Sequence, residues 1–417
     1  MFITVHRGTN EIGGSCVELE SGGDRIFIDA GSPLDGSSAI LPPSINTADA
    51  LFISHCHQDH YGLLDELPNR LPVYMGEVGW GFICAAKMFR GQPAPKCHVT
   101  FIKGQDPIAI GGMKVTPYLV DHSAPDAYAF LIEVEGKKVF YTGDFRGHGR
   151  KAYLFKKLIQ SPLQGIDALL LEGTVLGRPG KPSLDETGVE NHILEALQAE
   201  TGPAFFMCSG QNIDRIVSAF RAAKRAGRKL VIDIYTAWIL EQMAKASERI
   251  PQLGWPEIKV LAHGGFAARH YSVVKNNPDF FGSFQRRAYS SGAAIHFDEV
   301  RTTPNSYLVK TGARSLMEML DIIAPRTASV VYSMWSGYMQ ERHNPREAPI
   351  YKKIQGRPGL VFKIIHTSGH ADENDLIGLA HALDARCVIP IHTEEKGRYK
   401  SLFRNVIEAS DGEKITV

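Results

Sequence analysis

The constraint that bears hardest on this chain is the stretch Ser54-His55-Cys56-His57-Gln58-Asp59-His60, an H-x-H-x-D-H cluster. It follows the apolar run Leu51-Phe52-Ile53 and precedes Tyr61-Gly62-Leu63-Leu64, so the pattern predicts a buried strand, a ligand-bearing turn and the start of a helix. On extended backbone, residues two apart project to the same side, which lets His55 and His57 grip one ion together. Asp59 and His60 come after the turn and can face a second ion. Imidazole and carboxylate donors suit zinc and, less selectively, manganese or iron. Hydrogen-bonded surface histidines are the plain alternative, but four ligand-type side chains within six residues at a strand end favour metal.

Further ligand-type residues recur at strand ends. Ile28-Asp29-Ala30-Gly31 closes a meander whose Ser21-Gly22-Gly23-Asp24 segment is a hairpin signal, and Asp29 is expected to support the site rather than ligate. Val115 to Val120 leads into Asp121-His122, Lys138 to Tyr141 into Thr142-Gly143-Asp144, and Ile166 to Leu171 into Glu172. From about residue 186 the texture becomes alternating strand and helix, which predicts a parallel-rich sheet with helices on its faces. The first style then returns. Leu360 to Ile365 enters His366-Thr367-Ser368-Gly369-His370, and Cys387 to Ile391 enters His392. Site-type residues at both ends with a βα block between them imply an insertion: one domain from 1–185 and 350–417, interrupted by a second over 186–349.

With 44% hydrophobic and 22% charged residues, the chain has material for packed interiors and is not disordered. Its net charge is +1, so a polyanionic partner must meet a local basic groove rather than a basic protein. The six cysteines have no framework spacing, the N-terminus enters a strand at once, and no run is apolar enough to span a membrane. A reduced cytoplasmic protein with no membrane contact is expected, with a homo-oligomer left open.

Taken in order, Asp29, the 55–60 cluster, His122, Asp144, Glu172, His370 and His392 resemble the motifs of the metallo-β-lactamase superfamily, and within it the β-CASP nucleases of ribonuclease J-like type. The opening Gly8-Thr9-Asn10-Glu11-Ile12-Gly13-Gly14 is similar to the family's first hairpin. The resemblance implies an α/β fold, an αββα metallo-β-lactamase sandwich carrying an inserted β-CASP βα domain. It implies two divalent ions, zinc or manganese, with His55, His57 and His122 on one, Asp59, His60 and His392 on the other, and Asp144 bridging. Asp59, Asp144, His370 and Glu172 form the implied catalytic set, in which His370 faces the scissile phosphate and Glu172 orients a nearby histidine.

A phosphodiester resists an anionic nucleophile, and a pair of cations about 3.5–4 Å apart relieves that resistance. The family's loops that hold substrate phosphates correspond to Arg215, Ser336, His366 and Ser368, with Gln211 and Asn212 at a helix N-terminus, although each taken singly reads more simply as a capping or turn residue. Arg146 is a candidate for backbone contacts, and Trp335 and Tyr338 for base stacking or, equally, for a core or rim role. Single-stranded RNA is the expected partner, cut by 5′-exonuclease action, endonuclease action or both. A β-CASP DNA nuclease is the nearest alternative, although the DNA-repair branch usually lacks a histidine at the position of His392. A small-molecule hydrolase would not need the insertion or His370. A non-catalytic RNA-binding scaffold predicts eroded ligands, and this chain keeps every one.

Overall fold

The computed structural model describes residues 1–178, 184–263 and 265–417, with the backbone alone described at 262, 263 and 267. Contacts divide the chain into two compact units: Met1–Ile83, Ala94–Ser183 and Gly369–Val417 form the first, and Cys84–Pro93 with Leu184–Ser368 the second.

The first unit is built on two sheets. One runs Lys414–Thr416, Phe2–Arg7, Cys16–Ser21, Asp24–Ile28, Ala50–Phe52, Val73–Met75, Val99–Phe101 from edge to edge. The other runs Cys387–Ile391, Ala168–Glu172, Lys137–Tyr141, Tyr128–Val134, Met113–Leu119, Ile108–Ile110. In the Ser21–Asp24 hairpin both glycines take positive φ, +62° at Gly22 and +97° at Gly23, as a two-residue turn between twisted strands requires. Alternation along the strands then sorts side chains to the two faces. Val139, Tyr141 and Leu170 join Ile3, Val5, Val17, Ile26 and Phe52 in the core between the sheets. Phe140, Leu169 and Leu171 point the other way, onto Phe155 of the helix Ala152–Gln160 and onto Leu376 and Leu379 of the helix Glu373–Leu383. This is the layered α/β sandwich.

Strand direction is what gathers the remote motifs. Lys137–Tyr141, Ala168–Glu172 and Cys387–Ile391 are mutually parallel, with Glu172 opposite Ile391, so their C-terminal ends open at one edge of the sheet. Met113–Leu119 reaches the same edge, because it is two antiparallel steps away from Lys137–Tyr141. In the other sheet Asp24–Ile28 and Ala50–Phe52 are parallel neighbours and deliver Asp29 and Ser54 side by side.

The second unit is one parallel sheet in the order Ala294–His296, Ile258–His263, Lys229–Ile232, Tyr307–Lys310, Ala204–Met207, Ala328–Tyr332, Leu360–Ile364. The chain returns to the first unit at Gly369 rather than near residue 350. Leu360–Ile364 pairs along its length with Ala328–Tyr332, so it belongs to the inserted sheet despite leading into the His370 motif. The end of the helix Glu77–Phe89 also belongs there, where the Phe89 ring meets Tyr235, His270 and Phe281. No helix among the described residues is long and apolar enough to cross a membrane.

Arg215 sits at the centre of the second unit. It is fully buried, on the helix Ile213–Arg225 capped by Asn212, and pairs with Glu186 at 3.3 Å. It also donates to the carbonyl and hydroxyl of Ser333 and to the carbonyl of Thr367. Removing one partner of such a pair leaves a buried charge uncompensated. Arg215→Met is therefore expected to cost about 3–5 kcal/mol in urea unfolding; a loss below about 1 kcal/mol would mean that Glu186 does not depend on this partner.

Candidate metal centre

The turn after Ala50–Phe52 is held by close backbone approach. A Cβ on Gly31 would overlap the carbonyl oxygen of Asp59, so the loop after Asp24–Ile28 lies directly under the short helix Gln58–Tyr61. Asp29, at φ +62°, accepts hydrogen bonds from the Ser54 backbone (2.7 Å), the Ser54 hydroxyl (2.8 Å) and the Tyr141 hydroxyl (2.7 Å), and its Oδ2 lies 2.7 Å from His60 Nδ1. With the carboxylate as acceptor, His60 must carry its proton on Nδ1, which leaves the Nε2 lone pair facing inward. The Ser54 hydroxyl, already donating to Asp29, accepts from His55 Nδ1 at 3.1 Å and fixes that ring the same way.

Three nitrogens then converge. His57 Nδ1 lies 3.1 Å from both His55 Nε2 and His122 Nε2. An edge of a tetrahedron around an ion with bonds of 2.0–2.1 Å is about 3.3 Å, so the spacing is that of ligands sharing a cation. Burial pushes all three imidazoles toward the neutral form, and the histidines repel one another's charge; the His57 ring is lowered to about 4. Beside them Asp59, His60, Asp144 and His392 form a second set, with His392 Nε2 3.2 Å from Asp59 Oδ2. Asp144 belongs to both. Its Oδ2 lies 3.2 Å from His60 Nε2 and 3.6 Å from His55 Nε2. Burial opposes its charge, but His392, His60 and His370 outweigh burial and hold the carboxyl well below the usual carboxylate range.

The residues fit a divalent cation. Both Asp144 carboxylate oxygens and His60 Nε2 are buried without a well-formed hydrogen bond among the described residues, while the other nitrogen of His60 is firmly bonded. Cys56 is buried with its thiol pushed up to about 12 by desolvation, and it belongs to none of the ligand groups.

Glu172 organises the far side. Its carboxylate accepts from Phe145 N, Thr174 N and the Thr174 hydroxyl, and lies 3.2 Å from His370 Nδ1. The Thr174 hydroxyl, donating to Glu172, is left to accept from His392 Nδ1 at 2.8 Å, which turns His392 Nε2 toward Asp59. His392 sits at φ +49°, a conformation held by its surroundings. Burial lowers the affinity of His370 for a proton, but Glu172 and Asp144 raise it further, and the net shift is upward. Sequence reasoning missed Thr174, whose only signal was its place two residues after Glu172. It also missed Tyr141, hidden as an apolar strand residue. A further group, His148, Asp372 and Asp375, is brought together as well. There Asp372 caps the helix Glu373–Leu383, and Asp375 accepts from Gly147 N.

The expected phosphate contacts lie in the second unit. Ser336 is exposed, and His366 and Ser368 are half-buried. Arg215 departs from expectation, since its guanidinium is enclosed by Glu186, Ser333 and Thr367 and offers no surface to a phosphate. It does reach His366 Nδ1 at 3.1 Å, and because a guanidinium only donates, His366 carries its proton on Nε2. Arg146, a candidate for backbone contacts, is also fully buried, beside Asp121. Gln211 donates to the Tyr235 hydroxyl, and Asn212 caps its own helix.

Comparison with known proteins agrees with this geometry. A Beta-lactamase superfamily domain matches residues 24–200, and a Zn-dependent metallo-hydrolase RNA specificity domain matches 357–415. The chain is 28% identical to ribonuclease J of Sinorhizobium meliloti over 217 residues, a match covering 48% of this chain and 38% of that protein. It is 24% identical to ribonuclease J of Mycobacterium tuberculosis, covering 98% of this chain and 71% of the relative, and 22% identical to ribonuclease J2 of Bacillus subtilis, covering 93% and 68%. The crystal structure of a protein of unknown function from Enterococcus faecalis superposes over 100% of this chain and 99% of its own, with a TM-score of 0.77 at 18% identity, which shows a shared fold. Fold, ligand order and domain matches are those of metallo-hydrolases of the metallo-β-lactamase superfamily, and the clustered His and Asp side chains suit a divalent metal. Within that superfamily the chain resembles the ribonuclease J-like proteins, at 22–28% identity to the relatives above.

Thr174→Val breaks the link from Glu172 to His392 while keeping the side-chain shape. Divalent-metal affinity is expected to fall by about 10–100-fold, as for other losses of a group that orients a ligand. A chelator-competition titration reads this directly, and an unchanged affinity would remove Thr174 from the site.

Proposed function

We propose that this protein is a two-metal nuclease that hydrolyses phosphodiester bonds of single-stranded RNA. The observation that carries the reading is the placement of Asp144 Oδ2 between His60 Nε2 and His55 Nε2, one carboxylate serving two ligand sets. His55, His57 and His122 would hold one ion, Asp59, His60 and His392 the other, and the imidazole–carboxylate donor set suits zinc or manganese. When bound, such a pair supplies a nucleophile from water at neutral pH and neutralises charge on the phosphate.

The chain's own residues do the rest. Neutral His55, His57 and His122 offer lone pairs without needing to lose a proton. His370, whose affinity for a proton Glu172 and Asp144 raise, can stabilise charge on the phosphate or give a proton to the departing 3′ oxygen. Glu172 lies against His370 directly and reaches His392 through Thr174, so one carboxylate orients both acid and ligand. In the second unit His366, with its proton on Nε2, is a hydrogen-bond donor suited to a phosphate oxygen, and Ser336 and Ser368 are the proposed companions. Arg215 positions His366 instead of meeting substrate. RNA is favoured over DNA by the RNA specificity domain matched at 357–415 and by the ribonuclease J relatives. Six free cysteines support a reducing compartment, the cytoplasm.

The test is incubation with matched RNA and DNA oligonucleotides bearing 5′-phosphate or 5′-hydroxyl, followed by product sizing. RNA cleavage is expected, falling to background with chelator and in His57→Ala and Asp144→Asn. Cleavage that survives both substitutions would refute the site, and preferential cutting of DNA would refute the substrate.

A further inference from the structure

Trp335, Tyr338 and His343 gather on one tightly wound stretch of the second unit. The Trp335 and Tyr338 rings meet edge to face at 5.4 Å, and Trp335 leans on His343 at 4.8 Å. Backbone bonds from Tyr338 N to Trp335 O, Gln340 N to Gly337 O, and His343 N to Gln340 O wind the stretch. The Tyr332 hydroxyl anchors it by donating to Trp335 O at 3.1 Å. Gly337 lets the indole lie across the turn, since a Cβ there would overlap the Trp335 ring. The rings are thus held in place before any partner arrives, yet Tyr338 stays 45% exposed.

The surroundings are cationic. Residues 335–363 carry six basic and two acidic side chains in a chain of net charge +1. Arg342, Arg346, Lys352 and Lys353 are exposed. The two lysines lie on the helix Ala348–Gln355, which is tied to the aromatic turn through Gln355 and Met339.

We propose that this surface binds single-stranded nucleic acid, with a base stacked on Tyr338 beside Trp335 and the backbone phosphates met by Arg342, Arg346, Lys352 and Lys353. Cations alone would suit any polyanion, and exposed rings alone would suit an apolar protein surface. Immobilised rings among cations are what a single strand needs, because every base presents a π-face and every linkage a charge. That the strand is RNA rests on the function proposed above, but the binding itself is tested without cleavage.

The full chain is titrated in EDTA with a labelled oligo(A) RNA about 20 nucleotides long, followed by anisotropy. Tyr338→Ala is expected to weaken binding on the order of tenfold, and Tyr338→Phe, which keeps the ring, to restore it. Arg342→Glu combined with Arg346→Glu is expected to flatten the slope of log affinity against log salt by about 1.4, the effect of losing two phosphate contacts on a single strand. Absence of oligo(A) binding by the unsubstituted protein would overturn the proposal. So would equal binding by Tyr338→Ala and the charge-reversed variant, which would leave the patch to a protein partner. An oligo(A) pattern as expected with no cleavage in the product-sizing experiment would sustain this surface and reject the nuclease; cleavage with equal binding by all variants would do the reverse.

Discussion

A buried carboxylate surrounded by imidazoles sets the terms for the first unit. Asp144 cannot be desolvated as a lone anion at tolerable cost, and His60, His370 and His392 supply the compensation. The same burial drives His55, His57 and His122 toward neutrality. One half of the cluster therefore crowds rings against the Asp144 carboxylate and the other half presents bare lone pairs, with that carboxylate common to both. Divalent cations resolve this arrangement better than any protonation pattern can, because they satisfy the carboxylate and the lone pairs together.

The surroundings fix each ring rather than leaving it to find its own orientation. Asp29 determines His60, Ser54 determines His55, and Glu172 acts on His392 through Thr174. Each of these supports sits at or just beyond a strand end. Their positions follow from strand pairing, which the core between the sheets locks in register. Packing in the sandwich is thus transmitted to the tautomers of the centre.

The second unit uses a buried arginine for a comparable purpose. Arg215 ties Glu186, Ser333 and Thr367 together and leaves His366 one tautomer. An arginine at a helix N-terminus, in sequence, looks like an anion contact. Its burial shows that it acts by holding another group in place.

The local pattern of the sequence determined a good deal. Ligand-type residues after short apolar runs marked strand ends at His55, His122, Asp144 and His392, and the change to alternating strand and helix from about residue 186 marked the βα insert. Those signals are local because backbone periodicity and side-chain chemistry are properties of neighbouring residues. Where the insert ends was not legible: Leu360–Ile364 has the composition of either sheet, and only its pairing with Ala328–Tyr332 assigned it. The fates of Arg215 and Arg146, the relay through Thr174 and the anchoring by Tyr141 were likewise decided by the tertiary structure. Burial and hydrogen-bond partners depend on residues hundreds of positions away, such as Thr174 and His392, and no local pattern encodes which of them will meet.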